Sequence, residues 1–286
     1  MKFTVMITTL NRLNDLQRTC EVLSSLEPQP FEVLITADGC TDETVSYIQA
    51  NYPGYHLIVN QSGRGSVASR AAMMQRASGD LVLALDDDSY PEQLDCLRSL
   101  AIIFEENPKL AIATFPQRTD EYPDTLSQTD FGIQKPIRSF ANSGACLRVS
   151  AYRDLPGFEP MFFHMYEEPD YAIQCIANGW EVRYFPQITI RHHFTGTGRS
   201  EVRNHHRHAR NELWSALIRC PMPYVLGIIL YRICSQSLYA AKRGPAWLIR
   251  EPLWWLQALK GLPRALRYRK PLSWNGYRKW LELPSR

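Results

Sequence analysis

Three adjacent carboxylates, Asp86-Asp87-Asp88, close the apolar run Leu81-Val82-Leu83-Ala84-Leu85. Like charges at contact distance repel, so the cluster calls for a cation. Carboxylate oxygens suit Mg²⁺ or Mn²⁺. Alternate residues of an extended chain share a side, which lets Asp86 and Asp88 hold one ion together with phosphate oxygens, with Asp87 beside them at the donor. The plain alternative is a solvated acidic turn that caps the next helix. A second apolar run, 31–37, ends in Asp38-Gly39. A carboxylate there can accept from a nucleobase or ribose hydroxyl, or only from the backbone of its own turn. The segment Asn60-Gln61-Ser62-Gly63-Arg64-Gly65-Ser66 precedes a small-residue helix that carries Arg70. Glycines before a helix N-terminus admit a phosphate, and an Arg adds charge. The spacing matches neither the P-loop nor G-x-G-x-x-G.

Further along, Glu167-Glu168-Pro169-Asp170 opens another helical pattern. Acids at such a position serve as a general base or stabilise the helix N-terminus through its dipole. His192-His193 follows a short closing strand, with Arg199 beyond it. A His can complete a carboxylate metal site and an Arg can pair with diphosphate oxygens. Neighbours on an extended chain point opposite ways, so one of the two His faces the site. Asn142 and Ser143, before the small residues Gly144-Ala145, are candidates for contact with donor sugar or acceptor. His205, His206 and His208 read as part of a basic helix face.

The elements that must carry these residues form an α/β alternation. Segments 3–9, 31–37, 56–60, 81–85 and 110–115 are short and β-rich; segments 13–26, 43–51, 66–78 and 91–106 have helical spacing. Asp42 and Ser89 are the expected caps of the second and fourth helices. The alternation predicts a mostly parallel sheet sandwiched by helices, with ligands beyond the carboxyl ends of its strands. Residues 116–165, rich in Pro, Gly, Asp and aromatics, read as loops and short strands shaping a pocket. A helix over 166–179 and short strands at 181–185 and 188–191 close the domain.

The chain has 286 residues, 45% hydrophobic and 21% charged, which excludes a largely disordered protein and supplies ample core. Seven Cys, an odd number with no C-x-x-C pair, argue against a disulfide framework or a Cys-rich zinc site and fit a reducing cytosol. The net charge of +3 is unevenly spread: residues 1–200 hold 16 basic and 25 acidic residues, whereas 201–286 hold 16 basic and 4 acidic. That Trp-rich basic stretch, with Trp214, Trp247, Trp254, Trp255, Trp274 and Trp280, resembles segments that lie on an anionic membrane; the alternative is a helical subdomain packed on the core. It carries no nucleic-acid-binding motif. No targeting segment or membrane span is expected.

The order Thr8-Thr9-Leu10-Asn11-Arg12, Ala37-Asp38-Gly39-Cys40-Thr41-Asp42, Asn60-Gln61-Ser62-Gly63, Ala77-Ser78-Gly79-Asp80 and Leu85-Asp86-Asp87-Asp88 resembles the family 2 glycosyltransferases of GT-A fold over roughly residues 3–200. The resemblance implies inverting transfer of a sugar from a nucleotide-diphosphate donor to a hydroxyl of a glycan or lipid-linked acceptor. It places the metal-binding D-x-D on Asp86 and Asp88, donor contacts on Thr8, Arg12 and Asp38, the base on Glu168 with Asp170 competing, and a ligand on His192 with His193 competing. Ala37 stands where the family often has a second acid, and Ala71 where an Asn often follows the Arg. The expected organisation is a GT-A-like domain at 1–200, with a nucleotide-sugar half at about 1–115 and an acceptor half at about 116–200. A basic helical extension at 201–286 follows, in a cytoplasmic protein lying peripherally on the inner membrane face. The other classes open to this pattern are a nucleotidyltransferase and a non-catalytic nucleotide-sugar- or membrane-binding module.

Overall fold

The computed structural model describes residues 1–194 and 200–285. The first half runs β1 (Phe3–Thr9), α1 (Leu13–Ser24), β2 (Glu32–Asp38), α2 (Thr44–Asn51), β3 (His56–Asn60), α3 (Ser66–Arg76), β4 (Leu81–Asp86), β5 (Ser89–Pro91), α4 (Cys96–Glu106), β6 (Leu110–Thr114) and β7 (Gln117–Thr119). Then come β8 (Lys135–Pro136), β9 (Ala145–Arg148), α5 (Val149–Asp154), α6 (Glu167–Ala177), β10 (Glu181–Tyr184) and β11 (Ile190–His192). Five helices follow: α7 (Glu201–Arg219), α8 (Tyr224–Arg243), α9 (Pro245–Leu248), α10 (Glu251–Arg267) and α11 (Trp274–Glu282).

The main sheet has the order β3-β2-β1-β4-β9-β6-β10-β8. Its strands are parallel except β9, antiparallel to both β4 and β6, and the edge strand β8. Period-two alternation splits the central strand β4 between two apolar layers. Val82 and Ala84 face a layer holding Val67, Met73 and Met74 of α3 and Tyr171 of α6. Leu81, Leu83 and Leu85 face Leu16 and Leu23 of α1 and Leu97, Leu100 and Phe104 of α4. A strand buried on both faces can release its polar residues only at its end, and that is where the three acids stand.

A second, three-stranded sheet, β5-β11-β7, forms at that end. Strand β11 pairs antiparallel with β5, setting His192 opposite Ser89, and parallel with β7, setting Ile190 opposite Gln117. The sequence pattern predicts Ser89 as a helix cap. Here it is a strand residue whose hydroxyl accepts from the Asp86 amide at 2.8 Å, and the helix starts only at Cys96. Asp42 does accept from the Thr44 amide, at 3.2 Å. Strand β9 fills the middle of the sheet from within 116–165, the stretch that reads as loops and short strands; its apolar core, Ala145-Cys146-Leu147, is only three residues long.

The basic C-terminal helices clasp the α/β domain. The Trp280 indole donates to Arg138 O at 2.7 Å, and α11 packs on α6 so closely that a Cβ at Gly276 would lie 2.7 Å from Ala177 Cβ. Trp214 is buried and donates to Ala258 O at 3.0 Å; its ring lies where a Cβ on Gly261 of α10 would stand 2.1 Å away, which requires glycine inside that helix. Trp254 is also buried, while Trp255 is exposed. The aromatics read as a membrane face are thus partly spent on packing, and the core-packed alternative describes Trp214, Trp254 and Trp280.

A buried cluster joins α6 to α7. Asp170 accepts from Arg219 Nη2 at 3.0 Å, Arg219 Nε at 3.2 Å, Ser215 Oγ at 2.7 Å and Gln174 Nε2 at 2.8 Å. Removing one partner of a buried ion pair strands the other charge, at about 3–5 kcal/mol. Arg219→Ala is therefore expected to lower the unfolding free energy by that amount, read as a fall in the chemical-denaturation midpoint. An unchanged midpoint would show that the pair contributes no net stability.

Candidate active site

The loops leaving β1, β2, β3 and β4 meet at the carboxyl edge of the sheet. Asn11, at φ 54°, ties the first two: its Oδ1 accepts from the Thr41 amide at 2.7 Å and the Asp42 amide at 3.3 Å. Asp38 pins the third: its carboxylate accepts from the Arg64 amide at 2.9 Å, the Gly65 amide at 2.8 Å and Asn60 Nδ2 at 2.7 Å. Thr8, partly exposed at the end of β1, is in register with Asp86 of β4. The structure therefore brings Thr8, Asp38, Asn60 and Asp86 to one edge, with Asp38 already holding the glycine loop.

At the end of β4 the acids are met by cations. Arg12 donates to Asp87 Oδ1 at 2.9 Å and Asp88 Oδ2 at 2.7 Å, and also to Asp15 at 2.9 Å. The guanidinium predicted to touch the donor thus lies across the acidic turn. Arg70 is buried and ion-paired with both Asp86 and Glu167, the latter at 2.9 Å. Burial pushes Asp87 up to about 7, helped by the charges of Asp88 and Asp86 and opposed by Arg12. Burial pushes Asp88 the same way, but the hydrogen bond and charge of His192, together with Arg12, outweigh it and hold Asp88 below its ordinary value.

Asp86, Asp88 and His192 each offer a ligand atom, and the three atoms lie within 4.8 Å of one another. Asp88 Oδ1 and His192 Nε2 are 3.2 Å apart. Adjacent ligands on an octahedral ion with bonds of about 2.1 Å stand roughly 3 Å apart, so the donor set fits Mg²⁺ or Mn²⁺ in type and spacing. Of the two His, His192 is the one that faces Asp88; His193 turns away, its Nε2 2.8 Å from Tyr90 Oη. Behind His192 stands Gln117, which sequence reasoning missed. Its Oε1 is 3.2 Å from His192 Nδ1, and its Nε2 donates to Ser143 Oγ at 2.6 Å. With a proton on Nδ1 directed at Gln117, Nε2 is the nitrogen that could give up its proton to take an ion. The only sequence signal for Gln117 is its place just after a strand end.

The α6 N-terminus brings a second group of acids to this edge. Glu167 is buried, accepts from Arg70 and from Asn142 Nδ2 at 3.2 Å, and its Oε2 has no hydrogen-bond partner among the described residues. Glu168 is half-buried, with the Asn142 amide 3.5 Å from its Oε1; burial and the neighbouring Glu167 charge push it up to about 8, against the pull of Arg70. Of the two candidate bases, Glu168 adjoins Glu167 and feels the charge of Arg70, while Asp170 spends its carboxylate on Arg219, Ser215 and Gln174. Glu167, unselected by sequence reasoning, proves the link between halves: Arg70 bridges it to Asp86. Arg199 lies outside the described residues.

The turn before α6 is held from both sides. Phe163, Met165 and Tyr166 all have positive φ, at 66°, 74° and 71°. From α3, the Val67 amide donates to Phe163 O at 3.2 Å, and Ser66 Oγ lies 2.9 Å from His164 Nδ1. Gly65 allows that approach, since a Cβ there would lie 2.2 Å from Phe163 O. From α7, the Asn211 amide reaches the carbonyl oxygens of Phe162, His164 and Met165 at 2.8–3.0 Å. His205 pairs with Glu251 at 2.8 Å and His208 packs on Tyr166, so these His belong to helix packing.

An α/β sandwich with a carboxylate–imidazole corner at its strand ends defines a GT-A-like glycosyltransferase. The profile of Glycosyl transferase family 2 matches residues 4–168, more than half of the chain, and the chain belongs to that family. It is 25% identical over 211 residues, covering 69% of this chain and 76% of the relative, to an uncharacterized glycosyltransferase, YwdF, of Bacillus subtilis (strain 168). Among solved structures it resembles S. aureus TarS 1-349 in complex with UDP-GlcNAc, at TM-score 0.64 and 17% identity, over 93% of this chain and 82% of that one. It also resembles the mannosyltransferase PcManGT from Pyrobaculum calidifontis in complex with GDP-Man and Mn²⁺, at TM-score 0.59 and 15% identity, over 98% and 86% of the two chains. The chain is thus a glycosyltransferase by family, and the solved structures share its fold.

A side chain hydrogen-bonded to the far nitrogen of a ligating His typically contributes about 10–100-fold in metal affinity. Gln117→Leu is expected to weaken Mn²⁺ binding by about that factor, measured by electron paramagnetic resonance titration, while His193→Ala leaves it unchanged. The reverse ranking would move the ligand role to His193.

Proposed function

We propose that the chain catalyses inverting transfer from a nucleotide-diphosphate sugar to a hydroxyl of a glycan or lipid-linked acceptor. The carrying observation is the bridge through Arg70, which ties Asp86 of the D-x-D corner to Glu167, next to Glu168, so that donor corner and candidate base are one guanidinium apart. The nucleotide lies over the ends of β1, β2 and β3, at Thr8, Asp38 and Asn60. Asp86, Asp88 and His192 would hold Mg²⁺ or Mn²⁺, which when bound offsets charge on the departing diphosphate. Arg70 adds a fixed positive charge on the same side.

Glu168 accepts the acceptor proton as its oxygen attacks the anomeric carbon from the face opposite the nucleotide. An acceptor hydroxyl titrates far above neutral pH, and a base raised towards the working pH removes its proton more effectively. Asp170, saturated by Arg219, Ser215 and Gln174, supports the helix that presents Glu168. We also read the chain as a cytoplasmic protein whose basic end lies on an anionic surface. Exposed Leu226 and Leu230 of α8 and Leu256 and Leu259 of α10 support this; no described helix is long and apolar enough to cross a membrane.

Incubation with α-configured UDP- and GDP-sugars, Mn²⁺ and a panel of glycan and lipid-linked acceptors should release the nucleoside diphosphate, with β-configured product by NMR. Release of pyrophosphate from a nucleoside triphosphate and a sugar 1-phosphate would instead mark a nucleotidyltransferase, and no turnover of any donor a binding module. Asp88→Ala and Glu168→Gln are each expected to reduce transfer by at least about 10³-fold. Only deprotonated Glu168 acts as a base, and its folded value is raised, so kcat/KM should climb with pH well above the ordinary carboxylate range. A limb confined to pH 4–5, near a model carboxylate of about 4.3, would reject this base.

A further inference from the structure

Helices α7 and α10 enclose a cleft of about 550 Å³, separate from the D-x-D corner. Its lining includes Arg203, Arg207, Arg210, Arg250 and His206, and no acidic residue. Among the described residues, no carboxylate is ion-paired with Arg207, Arg210 or Arg250; the nearby Glu251 is engaged by His205 at 2.8 Å. His206 is 7% exposed, and its Nε2 lacks a hydrogen-bond partner, with Glu251 3.9 Å away. Burial, with the charge of the neighbouring arginine, lowers the pKa of both Arg207 and Arg210, which shows how poorly this charge is compensated from within the chain.

The cleft shares a wall with the active site. The Arg207 guanidinium lies 5.4 Å over the Phe163 ring, and Arg210 Nη2 donates to Phe162 O at 3.1 Å. These residues begin the turn that leads to Glu167 and Glu168. The turn is contacted by Gly65 and Val67 of the glycine loop and α3, and by the cleft's Arg207 and Arg210 from α7. Exposed Leu253 stands at its rim. Guanidinium groups take phosphate oxygens in forked pairs, and a diphosphate offers enough oxygens for several of them; a lone carboxylate does not.

We infer that this cleft binds a phosphate or diphosphate group of the acceptor, placing the acceptor's hydroxyl at Glu168. The role as acceptor subsite rests on the glycosyl-transfer reading; the anion site itself does not. The test is calorimetric titration of the full chain with inorganic pyrophosphate in EDTA, which keeps divalent ions from recruiting it to the D-x-D corner. The double variant Arg207→Gln/Arg250→Gln should bind at least about tenfold more weakly. Asp88→Ala should bind like the parent chain. Unchanged affinity in the double variant, or loss in Asp88→Ala, overturns the cleft. Mn²⁺ titration of the double variant should match the parent, which shows it folded; failure of the parent to bind Mn²⁺ would count against the glycosyl-transfer reading alone. Co-sedimentation with phosphatidylglycerol but not phosphatidylcholine vesicles, lost in the double variant, identifies a lipid headgroup as the source. Pyrophosphate binding without vesicle binding identifies a soluble phosphorylated acceptor.

Discussion

Mutual repulsion among Asp86, Asp87 and Asp88 is the constraint on which the architecture turns. Two unit charges about 4 Å apart interact by roughly 4 kcal/mol at an effective dielectric near 20. Two such repulsions are comparable with the whole net stability of a domain, about 5–15 kcal/mol. The fold answers with three cationic or proton-donating groups from three different elements: Arg12 before α1, Arg70 within α3 and His192 at the end of β11. The same concentration of negative charge that endangers the fold gathers Asp86, Asp88 and His192 into a group that could hold a divalent ion.

Compensation at the donor corner also organises the acceptor side. Arg70 serves Asp86 and Glu167 together, so the position of α6 is coupled to that of β4. The turn feeding α6 contains three non-glycine residues at positive φ, each costing of order 1–3 kcal/mol. Asn211 and the Asp170–Arg219 pair hold that turn and helix from α7. The basic C-terminal helices are therefore structural supports of the candidate base, whatever surface their outer leucines meet. Charge left uncompensated between α7 and α10 is a consequence of the same division: acids gather in the first 200 residues, bases in the rest.

The sequence by itself determined the strand ends. Apolar runs that stop at Asp38 and at Asp86-Asp87-Asp88 admit few alternatives, because a buried strand cannot hold an unpaired carboxylate within its length. That local rule made the sheet, its carboxyl edge and the D-x-D corner legible. It left β9 unlocated among the short strands of 116–165, because three apolar residues carry too little pattern, and it failed at Ser89, where cap and strand share one residue type. Tertiary structure alone decided which acid meets which cation. That Arg12 spans the acidic turn, that His192 rather than His193 faces Asp88, that Gln117 orients it, and that Asp170 belongs to Arg219 all depend on contacts between residues 49 to 104 positions apart. Side-chain direction at those positions is set by strand register and helix packing, and neither is written in the spacing of residues along one segment.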